Sequence, residues 1–136
     1  MDSGVRTTAR KAESTVAIRP ASLDDLRRFY SGSEDFRQYH TMRILAAELD
    51  GEVIGIGGYY FDANGNRIAF SDMWPKMRVR RKDIVRSLRA IMALIGDKHV
   101  FAVANPQEPK AERLLARLGF EHIGTDSSGE VYQRKA

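Results

Sequence analysis

A broad apolar face recurs at Ile84, Val85, Leu88, Ile91, Met92 and Ile95, spacing that defines a helix ended by Gly96. Arg67 to Trp74 before it and His99 to Ala104 after it both read as strands. Strand, helix and strand in that order form a β-α-β crossover, which returns the chain parallel to where it started. That unit commits the middle of the chain to a sheet with helical cover.

The flanking segments are antiparallel in character. Arg43 to Leu49 and Glu52 to Phe61 read as strands joined by Asp50-Gly51, a strong short hairpin signal. The second strand, EVIGIGGYYF, carries Gly55, Gly57 and Gly58, which inside a strand imply a bulge or a close approach. Asp62 to Asn66 then turns the chain into Arg67 to Trp74, completing a meander. Upstream, Thr15 to Arg19 alternates as a short strand that Pro20 stops. Ser22 with Asp25 forms a capping box for a helix whose face is Leu23, Leu26, Phe29 and Tyr30. Downstream, Ala111, Leu114, Leu115 and Leu118 define a further helix that Gly119 ends. Its start is open between Pro109 in the first turn and an Asn105–Glu108 cap. Phe120 to Gly124 and Glu130 to Arg134 are final strands around a DSSG turn.

Residues 1–14 read as a polar, aperiodic leader, and 15–136 as a single domain. Ser31 to His40 is turn-rich, with room for a short second helix. The expected architecture is α/β (α+β): a mixed, mainly antiparallel sheet with a central β-α-β crossover and helices on both faces. At 136 residues the chain can bury a core without staples. Without cysteine it has no disulfide framework, thiolate metal site or cysteine nucleophile, which fits a reducing compartment. No apolar run approaches the roughly 18 residues of a membrane span, and no apolar signal segment opens the chain. The expectation is a cytoplasmic protein without membrane contact. No H-E-x-x-H spacing occurs and no metal is expected.

Between strand and helix lies KMRVRRKDIVRSL, with Lys76, Arg78, Arg80, Arg81 and Lys82 crowded together. A nucleic-acid patch, a cradle for a phosphorylated ligand and a solvated face are the three readings. Alternation from Lys76 to Arg80 continues the strand or an extended loop, basic side chains outward, before the helix begins. A small phosphorylated ligand at a strand-to-helix turn suits that placement better than a duplex, so nucleic acid is disfavoured. Arg86 and Arg89 are assigned to the solvated helix face.

Three segments carry a family resemblance: VAIRPASLDDL, the VIGIGGYYF strand, and KAERLLARLGFEHIGTDSSGEVYQR. Together they resemble the GNAT superfamily of acetyl-CoA-dependent N-acetyltransferases, from about Thr15 to Arg134. The short, Arg-rich version is also similar to acetyltransferase-like proteins of bacteriophages. The resemblance implies acetyl-CoA as co-substrate and direct attack of an amine, from a small molecule or a protein, on the thioester. The family's pyrophosphate loop, Q/R-x-x-G-x-G/A, falls on Arg80-Arg81-Lys82-Asp83-Ile84-Val85. Arg80 fits, whereas Asp83 and Val85 replace both small residues. The implied coenzyme contacts are Met73, Trp74, Arg78, Arg80, Arg81, Lys82, Asp83, Ile84, Val85 and Asn105, with a backbone N–H near Met73 and Trp74 facing the oxyanion. A carboxylate about 4 Å from a phosphate costs about 1 kcal/mol in water and about 4 kcal/mol at an effective dielectric of 20. The neighbouring cations offset that if they face the ligand; Asp83 complementing its own helix start is the alternative.

Asp72 is the carboxylate best placed as the base, with pairing to a Lys or Arg as its structural alternative. Ser71, on the opposite strand face, is placed to order a water. Glu108 is a second base candidate with a helix-start role as its alternative. Leu115 stands where the family's thiolate-protonating Tyr lies and cannot donate. Of Tyr59 and Tyr60, one lines the cleft and the other packs. His40, His99 and His122 are assigned surface or structural roles, and Met73, Met77 and Met92 packing roles. Asp83, Val85 and Leu115 keep a second reading alive: a GNAT-fold protein with a degenerate coenzyme loop, acting as a non-catalytic binding or assembly protein. The acceptor pocket is expected from Ser31 to His40 and the hairpin loops, and oligomerisation is left open.

Overall fold

The computed structural model describes residues 15–31, 41–104, 110–127 and 129–136. The expectations for the leader, for 32–40 with His40, and for Asn105, Glu108 and Pro109 lie outside these residues.

Eleven elements follow in chain order among the described residues: β1 Ala17–Pro20, α1 Leu23–Phe29, β2 Arg43–Leu49, β3 Glu52–Phe61, β4 Arg67–Met73, α2 Pro75–Arg78, α3 Arg81–Ile95, β5 Val100–Ala104, α4 Ala111–Arg117, β6 Glu121–Asp126 and β7 Gly129–Arg134. The strands form one sheet in the order β1-β2-β3-β4-β5-β7-β6. Every neighbouring pair is antiparallel except β4 and β5, the strands that α3 connects. The mixed sheet and its central crossover therefore stand as expected.

Local chemistry sets the boundaries. Asp50 and Gly51 both take positive φ, +51° and +84°, the type I′ geometry that suits a two-residue hairpin. Ser22 Oγ accepts from the Asp25 amide at 3.1 Å, and Asp25 returns the bond to the Ser22 amide at 2.7 Å. Asp62 Oδ1 accepts from the amides of Asn64 and Asn66, closing the DANGN turn. One sequence expectation fails here. Lys76 to Arg80 is not extended: Pro75 opens a one-turn helix, its fixed φ favouring that first position.

Strand alternation assigns the faces. Ile44, Ala46 and Ile56 pack with Leu26 and Phe29 of α1 on one face of the sheet. On the other, Ile91 and Ile95 of α3 pack with Val100, Ala102 and Tyr132, and Leu115 of α4 joins them. Gly57 lets α3 approach: a Cβ there would lie 2.4 Å from Ile91 Cδ1. Met92 packs against the α3-face cluster, and Met73 and Met77 pack with Val16, Ala47 and Ile54, as expected.

Candidate active site

The parallel pair is short. Only Ile68↔Phe101 and Ala69↔Ala102 are in register between β4 and β5. Beyond them, Phe70 to Met73 stay paired with β3, while Val103 and Ala104 stay paired with β7. The two strands thus part at their carboxyl ends, where open α/β sheets characteristically take ligands.

Main-chain parity decides which groups face this gap. The Trp74 amide donates to the Ile54 carbonyl at 2.9 Å, so it points toward β3 and is already used. Successive strand residues alternate their N–H direction, so the Met73 amide points the other way, into the gap. The Met73 carbonyl shares that direction and accepts from Arg78 Nε at 3.3 Å.

From Met73 the chain passes through α2 to the start of α3. The amides of Arg78, Arg80 and Ile84 donate to main-chain carbonyls. Among the described residues, those of Arg81, Lys82 and Asp83 have no such acceptor, and Arg80 at the cap position provides no side-chain cap. They are the orphan donors that every helix start presents. Arg81, Lys82 and Val85 are exposed beside them.

Asp83 does not cap this helix. Its carboxylate accepts from Arg80 Nε at 2.7 Å and from Arg86 Nη2 at 2.8 Å, with the Asp83 side chain only 14% exposed. Burial pushes its pKa up, but the hydrogen bonds from Arg86 and Arg80 outweigh that and hold it below the usual carboxylate range. Arg86 Nη2 also donates to the Val16 carbonyl, just before β1. Arg86 is therefore an anchoring residue rather than the solvated face residue expected from sequence. The ion-pair triad draws Asp83 toward the β1 edge, with three strands between it and β5.

Alternation along β4 separates its two polar candidates. Ser71 lies with Met73 on the α3 face, in a cleft also lined by Gly57, Ile84, Ser87 and Leu88. Asp72 lies on the α1 face, where the Tyr30 hydroxyl donates to its carboxylate. The alternative partner expected from sequence, a Lys or Arg, is replaced by this tyrosine. Sequence reading had Tyr30 only as part of a helical stripe; its polar tip at the end of that stripe was the one available signal.

Tyr60 goes to the α1 face, 5.9 Å from the Phe70 ring, while Tyr59 packs on the α3 side beneath Arg67. His99 and His122 hydrogen-bond to Gln133 and Glu130, structural roles as expected. Among the described residues no three His, Cys, Asp or Glu side chains gather into a metal-ligand set, and no helix is long and apolar enough to cross a membrane.

No protein-family model matches the sequence, and no curated protein sequence does either. Solved structures do match. A phosphinothricin acetyltransferase of the GNAT superfamily from Sinorhizobium meliloti, in complex with acetyl-CoA, superposes with a TM-score of 0.65 at 19% identity, over 88% of each chain. A PaiA N-acetyltransferase from Thermoplasma acidophilum, in complex with coenzyme A, gives a TM-score of 0.61 at 17% identity, covering 90% of this chain and 99% of that one. A GNAT-family acetyltransferase from Bordetella pertussis gives 0.65 at 14%, covering 88% and 95%. The seven-strand, mostly antiparallel sheet with its helices matches the fold of these GNAT acetyltransferase structures.

Proposed function

We propose that the protein is an N-acetyltransferase that moves an acetyl group from acetyl-CoA to an amine by direct attack. The observation that carries this reading is the gap between β4 and β5 opening beside the unoccupied amides of Arg81, Lys82 and Asp83. Solved structures of the same fold hold coenzyme A or acetyl-CoA.

Acetyl-CoA, the co-substrate, supplies the activated acetyl group. The first turn of α3 is suited to its diphosphate, with three N–H donors, the positive end of the helix dipole, and the exposed charges of Arg81 and Lys82. Bulk at Asp83 and Val85 does not close this approach: one side chain is bound to Arg80 and Arg86, and the other is exposed. Arg80 and Asp83 serve each other in this reading instead of the phosphates. Arg78 fixes the end of β4 through the Met73 carbonyl.

Asp72 takes the proton of the incoming ammonium, leaving the amine lone pair to attack the thioester carbonyl. The Met73 amide, aimed into the gap, donates to the oxygen as it gains negative charge. Collapse expels the coenzyme thiolate. Leu115 packs in the core and offers it no proton, so the second proton, lost by the newly acylated nitrogen, reaches the thiolate through water. Ser71, on the far side of β4, is placed to hold that water.

Release of free thiol from acetyl-CoA, followed across a panel of primary amines, tests the reading. Amine-dependent release supports it. Binding of acetyl-CoA with no release for any amine favours the non-catalytic alternative that Leu115 motivates.

A further inference from the structure

We propose that the α1 face at the end of β4 recognises a cationic primary amine that carries an aryl or bulky alkyl group and no carboxylate. As an acceptor site this rests on the acetyltransferase reading; as a binding site it stands on geometry alone.

Phe70, Asp72 and Trp74 alternate onto the same face of β4. Phe29 stacks on Trp74 with ring centroids 5.2 Å apart and planes 16° from parallel. Tyr30 meets Phe29 edge to face at 4.9 Å and donates its hydroxyl to Asp72. Tyr60 lies against Phe70. Asp72 is exposed at the centre of this frame, and Tyr30, Phe70 and Trp74 are each part-exposed around it.

The chain has 22 Lys and Arg against 18 Asp and Glu, yet among the described residues none of those cations pairs with Asp72. A carboxylate held by one hydroxyl keeps lone pairs for an ammonium N–H. The rings around it add attraction for a cation and cover for an apolar substituent. A ligand with its own carboxylate meets Asp72 as a like charge, and among the described residues no cation pairs with Asp72 to relieve it. Amino acids are therefore poor ligands, and simple aryl- or alkylamines good ones.

Trp74 is the only tryptophan in the chain, so its emission reports on this site without any coenzyme present. Three compounds of one shape are titrated near neutral pH: cyclohexylmethylammonium, cyclohexylmethanol and cyclohexanecarboxylate. The expected result is a saturable change in emission with the ammonium, and affinity at least about tenfold weaker for the alcohol and the carboxylate. Asp72→Asn is expected to lose about tenfold for the ammonium, and Tyr30→Phe a smaller factor. Circular dichroism melts confirm that each variant is folded, and either variant alone is sufficient for the comparison. Equal binding of all three compounds, or no response to the ammonium in a protein that does bind acetyl-CoA, overturns the inference. An ammonium response in a protein that ignores acetyl-CoA upholds the cation site and removes the acetyltransferase reading instead.

Discussion

Asp83 and Arg80 form an ion pair at 2.7 Å across the first turn of α3, and Arg86 completes it from the next turn. A carboxylate that looked hostile to a phosphate is thereby neutralised and turned toward β1. Asp83→Asn is expected to leave acetyl-CoA affinity within about threefold while lowering stability by about 1 kcal/mol, since the pairs are part-exposed. Arg81→Ala combined with Lys82→Ala is expected to weaken acetyl-CoA by about tenfold or more, and to flatten the salt dependence of binding. Isothermal titration at two ionic strengths checks both.

Asp72 is expected to matter to turnover more than to coenzyme binding. Asp72→Asn lowers kcat/KM by about 100-fold with acetyl-CoA affinity unchanged. Steady-state thiol release alongside calorimetry of acetyl-CoA makes the comparison.

Much of the frame was legible because its signals are local. Asp50-Gly51, the Ser22–Asp25 box and the α3 stripe each depend on residues within a turn or two of one another. The site was less legible because its contacts are long-range or set by main-chain direction. Tyr30 reaches Asp72 across 42 residues, which no periodicity announces. The parting of β4 from β5 depends on where each strand's other neighbour holds it, and hydrophobic pattern carries no record of that. The one-turn α2 was misread because basic residues at alternate positions imitate a strand, whereas Pro75 decides the local backbone.

Gly57 supports the approach of α3 to the sheet. Gly57→Ala places a Cβ 2.4 Å from Ile91 Cδ1 and 3.2 Å from the Phe70 carbonyl, so it is expected to cost about 1–3 kcal/mol. Gly124→Ala, with nothing within 4 Å of the new atom, is the control and should change stability by less than about 0.5 kcal/mol. Denaturant midpoints with unchanged slope are the readout.

Arg19 donates to Asp25 at 2.7 Å, and together with the helix-cap bonds from Ser22 this holds the Asp25 carboxyl down at about 2, against an ordinary value of 3.8. In that window the unfolded chain binds the proton more readily than the folded one, so stability rises with pH. The contribution is complete above about 3.8 and disappears as pH falls through about 2. With Arg19 39% exposed, it amounts to about 1–2 kcal/mol after solvent screening. Arg19→Met should flatten the acid limb of a stability-versus-pH curve in that interval; an unchanged limb assigns the acid sensitivity elsewhere.

In the proposed function, the gap at the β4–β5 ends and the open amides of α3 receive acetyl-CoA. Thermal melts at rising acetyl-CoA concentration measure this directly. At 100 times the dissociation constant the ligand adds about 2.7 kcal/mol, so the midpoint should climb by several degrees and keep climbing with each further tenfold step. A midpoint that does not move with acetyl-CoA at millimolar concentration contradicts the account.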